Sequence, residues 1–169
     1  DTNTDFDGTA KYDRYREMRE RDSAIAGMFQ ILEQPYLSAH WSMEGDSDEL
    51  TEWCSTVLFS PPDPQAMRWH RLLEHILRDR QYGCYLFERI AAKDEDGRVY
   101  FYLSPRPPDS IAYWYLDGIR IDHVTQEVTR DGHSYEQVDI PGEDLVHFVH
   151  GGEANDVEGM SLLRPLWFN

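Results

Sequence analysis

Gly83-Cys84-Tyr85-Leu86-Phe87-Glu88-Arg89-Ile90 is where the chain changes character. From Cys84 onward, aromatic and aliphatic residues come in short runs parted by polar turns, which is the pattern of strands. Val99-Tyr100-Phe101-Tyr102-Leu103 forms a second such run. Between them Lys93-Asp94-Glu95-Asp96-Gly97 is polar and closed by glycine, and reads as a hairpin loop. Ser104-Pro105-Arg106-Pro107-Pro108-Asp109 lacks a backbone donor at each proline, so a rigid loop is expected there, leading into a strand over residues 111–116. Asp117-Gly118 and Asp131-Gly132 are turn dipeptides that part short strands around residues 119–121, 127–129 and 134–137.

Upstream of Gly83 the spacing is helical. Tyr12, Tyr15 and Met18 recur every third residue, and Ile25, Met28, Phe29, Ile31 and Leu32 continue a stripe. Asp22 stands where an N-cap would, predicting a break and a second helix from about Ser23, which Pro35 should end or bend. Ala39, Trp41 and Met43 alternate with His40, Ser42 and Glu44, the period of a half-buried strand. Asp46, Ser47 and Asp48 offer caps for a short helix carrying Leu50, Trp53, Val57 and Leu58, stopped by Ser60-Pro61-Pro62. Another helix is expected from about Pro64 through Leu77, with Gly83 on its C-terminal side. The fold class is therefore α+β, with N-terminal helices packed on a mostly antiparallel sheet.

At 169 residues and 40% hydrophobic content the chain has enough apolar material for a real core. Its net charge of −16 repels a polyanion and argues against a general nucleic-acid or anionic-membrane binder. Arg14, Arg16, Arg19 and Arg21 cluster, but Asp13, Glu17, Glu20 and Asp22 interleave with them, so intrahelical ion pairs are expected. Cys54 and Cys84 have no metal-ligand spacing and read as buried free thiols. No charged leader and no apolar run near ~18 residues is present, which suits a protein of a reducing compartment without a membrane span. Asp1 is not an initiator Met, and Leu162, Leu163, Leu166, Trp167 and Phe168 read as a helix cut as it begins, so a piece of a larger protein is expected.

Candidate chemistry is thin. His147 and His150, with Glu143, Asp144, Glu153 and Asp156 nearby, are the best metal set. On a strand over residues 145–149, His147 projects with Leu145 and Val149 while His150 projects oppositely, so the imidazoles diverge unless the strand ends between them. His70 and His75 lie about 140° apart on a helix, and His123 and His133 sit beside turns, where solvation is expected. No nucleophile elbow, SxxK or phosphate-binding glycine loop occurs; Gly159-Met160-Ser161 is better read as a helix start capped by Ser161. Tyr100-Phe101-Tyr102 and Tyr113-Trp114-Tyr115 lack a basic stripe and are expected to fill a packed sheet face or a subunit interface.

The order of these segments resembles the portal proteins of tailed bacteriophages. The helix opened by Asp22 leads to Ala39-His40-Trp41-Ser42-Met43-Glu44, as in that family, where an Asp-initiated helix leads to a Trp-containing strand. The strand at Gly83-Cys84-Tyr85-Leu86-Phe87-Glu88 and the connector Leu103-Ser104-Pro105-Arg106-Pro107-Pro108 are similar to its next landmarks. Ile140-Pro141, the strand through Val146-His147-Phe148, and Gly159-Met160-Ser161-Leu162-Leu163 are similar to its closing ones. The landmark residues are thus Asp22, Trp41, Pro105, Pro141, His147, Phe148, Gly159 and Ser161.

The resemblance implies a non-enzymatic ring subunit, typically in twelve copies, at one capsid vertex. DNA would be packaged through it by the terminase motor and later ejected, with no cofactor, no membrane and no sequence-specific DNA binding. It further implies a virion component assembled in the host cytoplasm. Residues 1–21 would be a helical arm, 22–160 a wing domain, and 161–169 the start of a stem helix. The rivals are another virion connector protein and a metal-dependent hydrolase built on His147 and His150.

Overall fold

The computed structural model describes residues 8–130, 134–152 and 156–168. Helices α1 (Ala10–Arg21) and α2 (Ser23–Leu37) meet at Asp22, whose carboxylate accepts from the backbone N–H groups of Ala24 (2.8 Å) and Ile25 (3.2 Å). Its extended backbone (φ −104°, ψ 111°) breaks α1, and its side chain satisfies donors that α2 cannot satisfy itself. Pro35 lies inside α2, which ends at Leu37. Helix α3 (Asp48–Phe59) is capped by the Ser47 hydroxyl, which accepts from the Leu50 amide (3.4 Å).

Helix α4 (Trp69–Ile76) starts later than the expected position at Pro64. A local turn competes there: the Asp63 carboxylate accepts from the Gln65 amide (2.7 Å) and the Asp63 carbonyl from the Ala66 amide (3.0 Å). The single-turn helix α5 (Asp79–Tyr82) then leads to Gly83. The strand expected over residues 39–43 does not form. Neither sheet includes this segment; Trp41 instead donates its indole N–H to the Tyr36 carbonyl (3.0 Å) and packs edge-on against Trp69 (5.3 Å, 72°).

The strands make two antiparallel three-stranded sheets where one sheet was expected. Sheet A has the order β2 (Val99–Arg106), β1 (Cys84–Lys93), β6 (Leu145–Val149); sheet B runs β3 (Ile111–Asp117), β4 (Arg120–Arg130), β5 (Ser134–Pro141). The loop expected from Ser104 is strand as far as Arg106, with Pro105 opposite Phe87. Proline is tolerated because β2 is an edge strand. The two short strands expected near 119–121 and 127–129 are one continuous β4, in which Val124 is fully buried. The Asp131-Gly132 turn lies outside the described residues.

Four successive buried residues, Cys84 to Phe87, explain the architecture. Tyr85 and Phe87 point into a core shared with Tyr12, Tyr15, Phe29, Leu72, Tyr82 and Leu163, while Cys84 and Leu86 point into a second core with Ile111, Val124 and Ile140. β6 divides its side chains the same way, Val146 and Phe148 toward the first core and Leu145 toward the second. Sheet A is therefore a middle layer, with helices on one face and sheet B on the other, and a strand buried on both faces loses its polar alternation. Each fully buried large side chain contributes roughly 1.5–3 kcal/mol.

The described part of α1 belongs to this body, since Tyr12 and Tyr15 are buried in the first core. Its arginines are only partly intrahelical. Arg14 and Arg21 pair with Glu17, but Arg19 crosses to Glu33 of α2 through two contacts (2.8 and 2.9 Å) and to Gln81 (3.1 Å), and Arg16 reaches Asp109 (3.1 Å). The last described turn, Arg164–Phe168, is a 3₁₀ helix.

Candidate functional site

The closing landmarks, Gly159 and Ser161, sit where the chain returns across the start of β1. The His150 amide donates to the Gly83 carbonyl (2.7 Å), the Met160 amide to the His150 carbonyl (2.7 Å), and the Leu162 amide to the Arg80 carbonyl (2.9 Å). Gly159 has φ +59°, and a Cβ there would lie 2.2 Å from the Gly83 carbonyl oxygen and 2.7 Å from that of His150. Only glycine permits both the conformation and the approach. The buried Ser161 hydroxyl donates to the Gln81 carbonyl and accepts from the Leu163 amide (3.0 Å), holding fully buried Leu163 in the first core. The serine thus caps the turn at Leu163.

Glu158 extends the junction to α1. Its carboxylate forms an ion pair with Lys11 and accepts from the Tyr12 hydroxyl (3.5 Å), while the Asp156 carboxylate accepts from the amides of Glu158 (3.0 Å) and Gly159 (3.1 Å). Tyr12 lies beside Cys84, whose thiol is pushed up to about 12 by burial and by Glu158. It stays protonated at neutral pH and is no nucleophile.

The other closing landmarks frame a groove. Pro141 ends β5, Gly142–Asp144 form a 3₁₀ turn, and β6 comes next. Gly142 packs against β4 so closely that a Cβ would sit 1.9 Å from the Ile121 carbonyl oxygen. Phe148 meets Phe87 edge-on (5.8 Å, 85°) in the first core. His147, on the opposite face, lies against the Trp114 ring (5.5 Å). Burial lowers its pKa, and its Nε2 is buried without a hydrogen-bond partner. Beside it opens a groove of about 860 Å³ lined by Ile119, Ile121, Leu145, Val149 and Val157 together with acidic residues.

His147 and His150 are not brought together: His147 faces sheet B, whereas His150 lies near Asp79. Among the described residues no group of three or more His, Cys, Asp or Glu is placed to hold a metal ion, and Glu153 lies outside them. His75 bonds through Nδ1 to the Tyr85 hydroxyl (3.0 Å), whereas His70 is exposed. His123, expected to be solvated near a turn, is instead in β4, stacked on Tyr115 (4.0 Å, 12°) with Nδ1 2.7 Å from Asp122. His133 lies outside the described residues. Of the aromatic runs, Tyr100 is buried and its hydroxyl accepts from the Asp63 amide (3.0 Å), while Phe101, Tyr113 and Tyr115 remain exposed. Among the described residues no helix is long and apolar enough to cross a membrane.

Several junction residues carry no sequence signal. Lys11, Gln81 and Glu158 act through contacts that join segments far apart in the chain, and charged or polar residues have no periodicity that marks such partners. Gly83, read as a helix-ending glycine, and Gly159, two residues before a capping serine, are the visible hints.

No curated protein matches this chain. A family model described as the portal protein of Mu bacteriophage matches residues 12–169, which takes in the three layers, the return junction and every landmark. The chain accordingly belongs to the family of the portal protein of Mu bacteriophage.

Proposed function

We propose that this chain is the wing body of a portal ring subunit: a structural protein, working without catalysis or cofactor, at a capsid vertex. Twelve copies of the full-length protein close the ring, DNA is packaged and ejected through it, and the terminase motor docks on it. Residues 22–160 form the wing, and Gly159 and Ser161 make the junction to the stem. The ring is built in the host cytoplasm and remains in the virion.

The observation that carries this reading is the family match across residues 12–169. Two features support it. Two cores share one middle sheet, giving the rigid body that a closed assembly requires. A net charge of −16 suits a conduit past which a polyanion slides without being gripped. Native mass spectrometry and electron microscopy of the full-length protein test it. Closed rings of uniform copy number are expected, and a stable monomer at capsid-like salt would overturn the reading.

A further inference from the structure

A second hollow opens at the start of α4. It measures about 480 Å³ and is walled by Trp41, Phe59 and Trp69, with His40, Arg68 and His70 around it. No carboxylate lines it, in a chain that carries 32 Asp and Glu residues. The groove beside β6, by contrast, is lined by Asp117, Asp122, Glu143 and Asp156. Trp41 is 41% exposed, and His40, Arg68 and His70 are exposed with it, so this aromatic surface faces solvent.

The hollow offers donors that lack acceptors. Helices α2 and α3 are capped by Asp22 and Ser47, but α4 starts after Arg68, whose side chain can only donate, and no side chain caps its first turn. The amides that open α4 therefore miss the acceptor a helix N-terminus calls for, and the positive end of the helix adds to the charge of Arg68. The Trp69 indole N–H is buried with no hydrogen-bond partner. Glu74, one turn on, lies 3.9 Å from His70 but is held by Arg71 (2.7 Å).

What fits is a carboxylate set beside an aromatic or aliphatic side chain. The carboxylate accepts from Arg68 and from the first turn of α4, and the apolar side chain covers Trp41 and Phe59. Nucleic acid also brings anions, but along its length it meets a net charge of −16, which repels it. A short acidic peptide presents its charge at one point.

We propose that the hollow at the start of α4 is a docking site for an acidic peptide segment of a partner protein, which caps α4 with a carboxylate and seats an apolar side chain against Trp41 and Phe59. The site goes beyond the ring reading and does not depend on it. The test titrates a fluorescein-labelled peptide, Asp-Asp-Leu-Phe-Asp, with the full-length protein and follows anisotropy. Saturable binding is expected, and Asn-Asn-Leu-Phe-Asn is expected to bind at least about ten-fold more weakly, the cost of losing a charged hydrogen bond. Arg68→Asp supplies a carboxylate at the N-cap of α4, so it is expected to weaken the acidic peptide while raising the urea-unfolding midpoint, because the helix is then capped from within. Arg68→Gln removes the charge without supplying that cap, and is expected to weaken the peptide with the midpoint unchanged. No saturable binding, equal binding of the two peptides, binding that neither variant weakens, or a midpoint that Arg68→Asp fails to raise overturns the site. Displacement of the peptide by a single-stranded oligonucleotide of equal charge overturns the choice of partner and assigns the hollow to nucleic acid.

Discussion

Asp22 serves two helices with one side chain, ending α1 and accepting two donors of α2. Asp22→Ala is expected to cost about 1 kcal/mol, and Asp22→Asn far less, in a urea-unfolding midpoint. Gly159→Ala meets both a left-handed backbone and the Gly83 carbonyl oxygen, so a loss of about 2–3 kcal/mol is expected by the same measurement. His147 gives a dependence on pH. Burial lowers its pKa from the ordinary 6.5, and burial lowers that of His75 as well. Below about pH 6.5 the unfolded chain takes up protons that the folded chain refuses. Stability from these two groups is therefore complete above that pH and falls as the pH drops toward their lowered values. His147→Phe is expected to flatten the fall, measured as unfolding midpoints between pH 7 and 5.

At the scale of elements, β1 is the member on which both cores depend. Phe87→Ala on the helix side is expected to cost about 3–5 kcal/mol and Leu86→Ala on the sheet-B side about 2–5 kcal/mol. Helices α1 to α3 and the β1–β2 hairpin were legible because periodicity and capping are local. Asp22, Ser47 and the glycine-closed loop at 93–97 each announce themselves within a few residues. What escaped was decided by distant partners. Residues 39–43 alternate like a strand yet find no ladder, because both sheets are completed elsewhere. Pro105 looked like a loop residue because its tolerance depends on β2 lying at an edge, a fact of sheet order. The split into two sheets was likewise invisible, since nothing local in β3 or β6 says which neighbour it joins. Of the junction, Ser161 and Gly159 could be singled out beforehand, whereas Lys11, Gln81 and Glu158 could not.

In the whole molecule, the helical layer and sheet B touch the same strand from opposite sides. Heat or urea should thus unfold the body in one transition, with far-UV circular dichroism and tryptophan fluorescence giving coincident curves. Separate transitions would show that the two cores are independent. The shared strand also has a mechanical meaning. β1 is stitched to β2 along Leu86–Lys93 and to β6 along Cys84–Glu88, and its side chains key into both outer layers. It works like the web of a beam between two flanges: a push on the helices and a drag on sheet B meet in one hydrogen-bonded plane. The layers cannot slide past one another without drawing those side chains out of one of the two cores, so the shared sheet couples one face to the other.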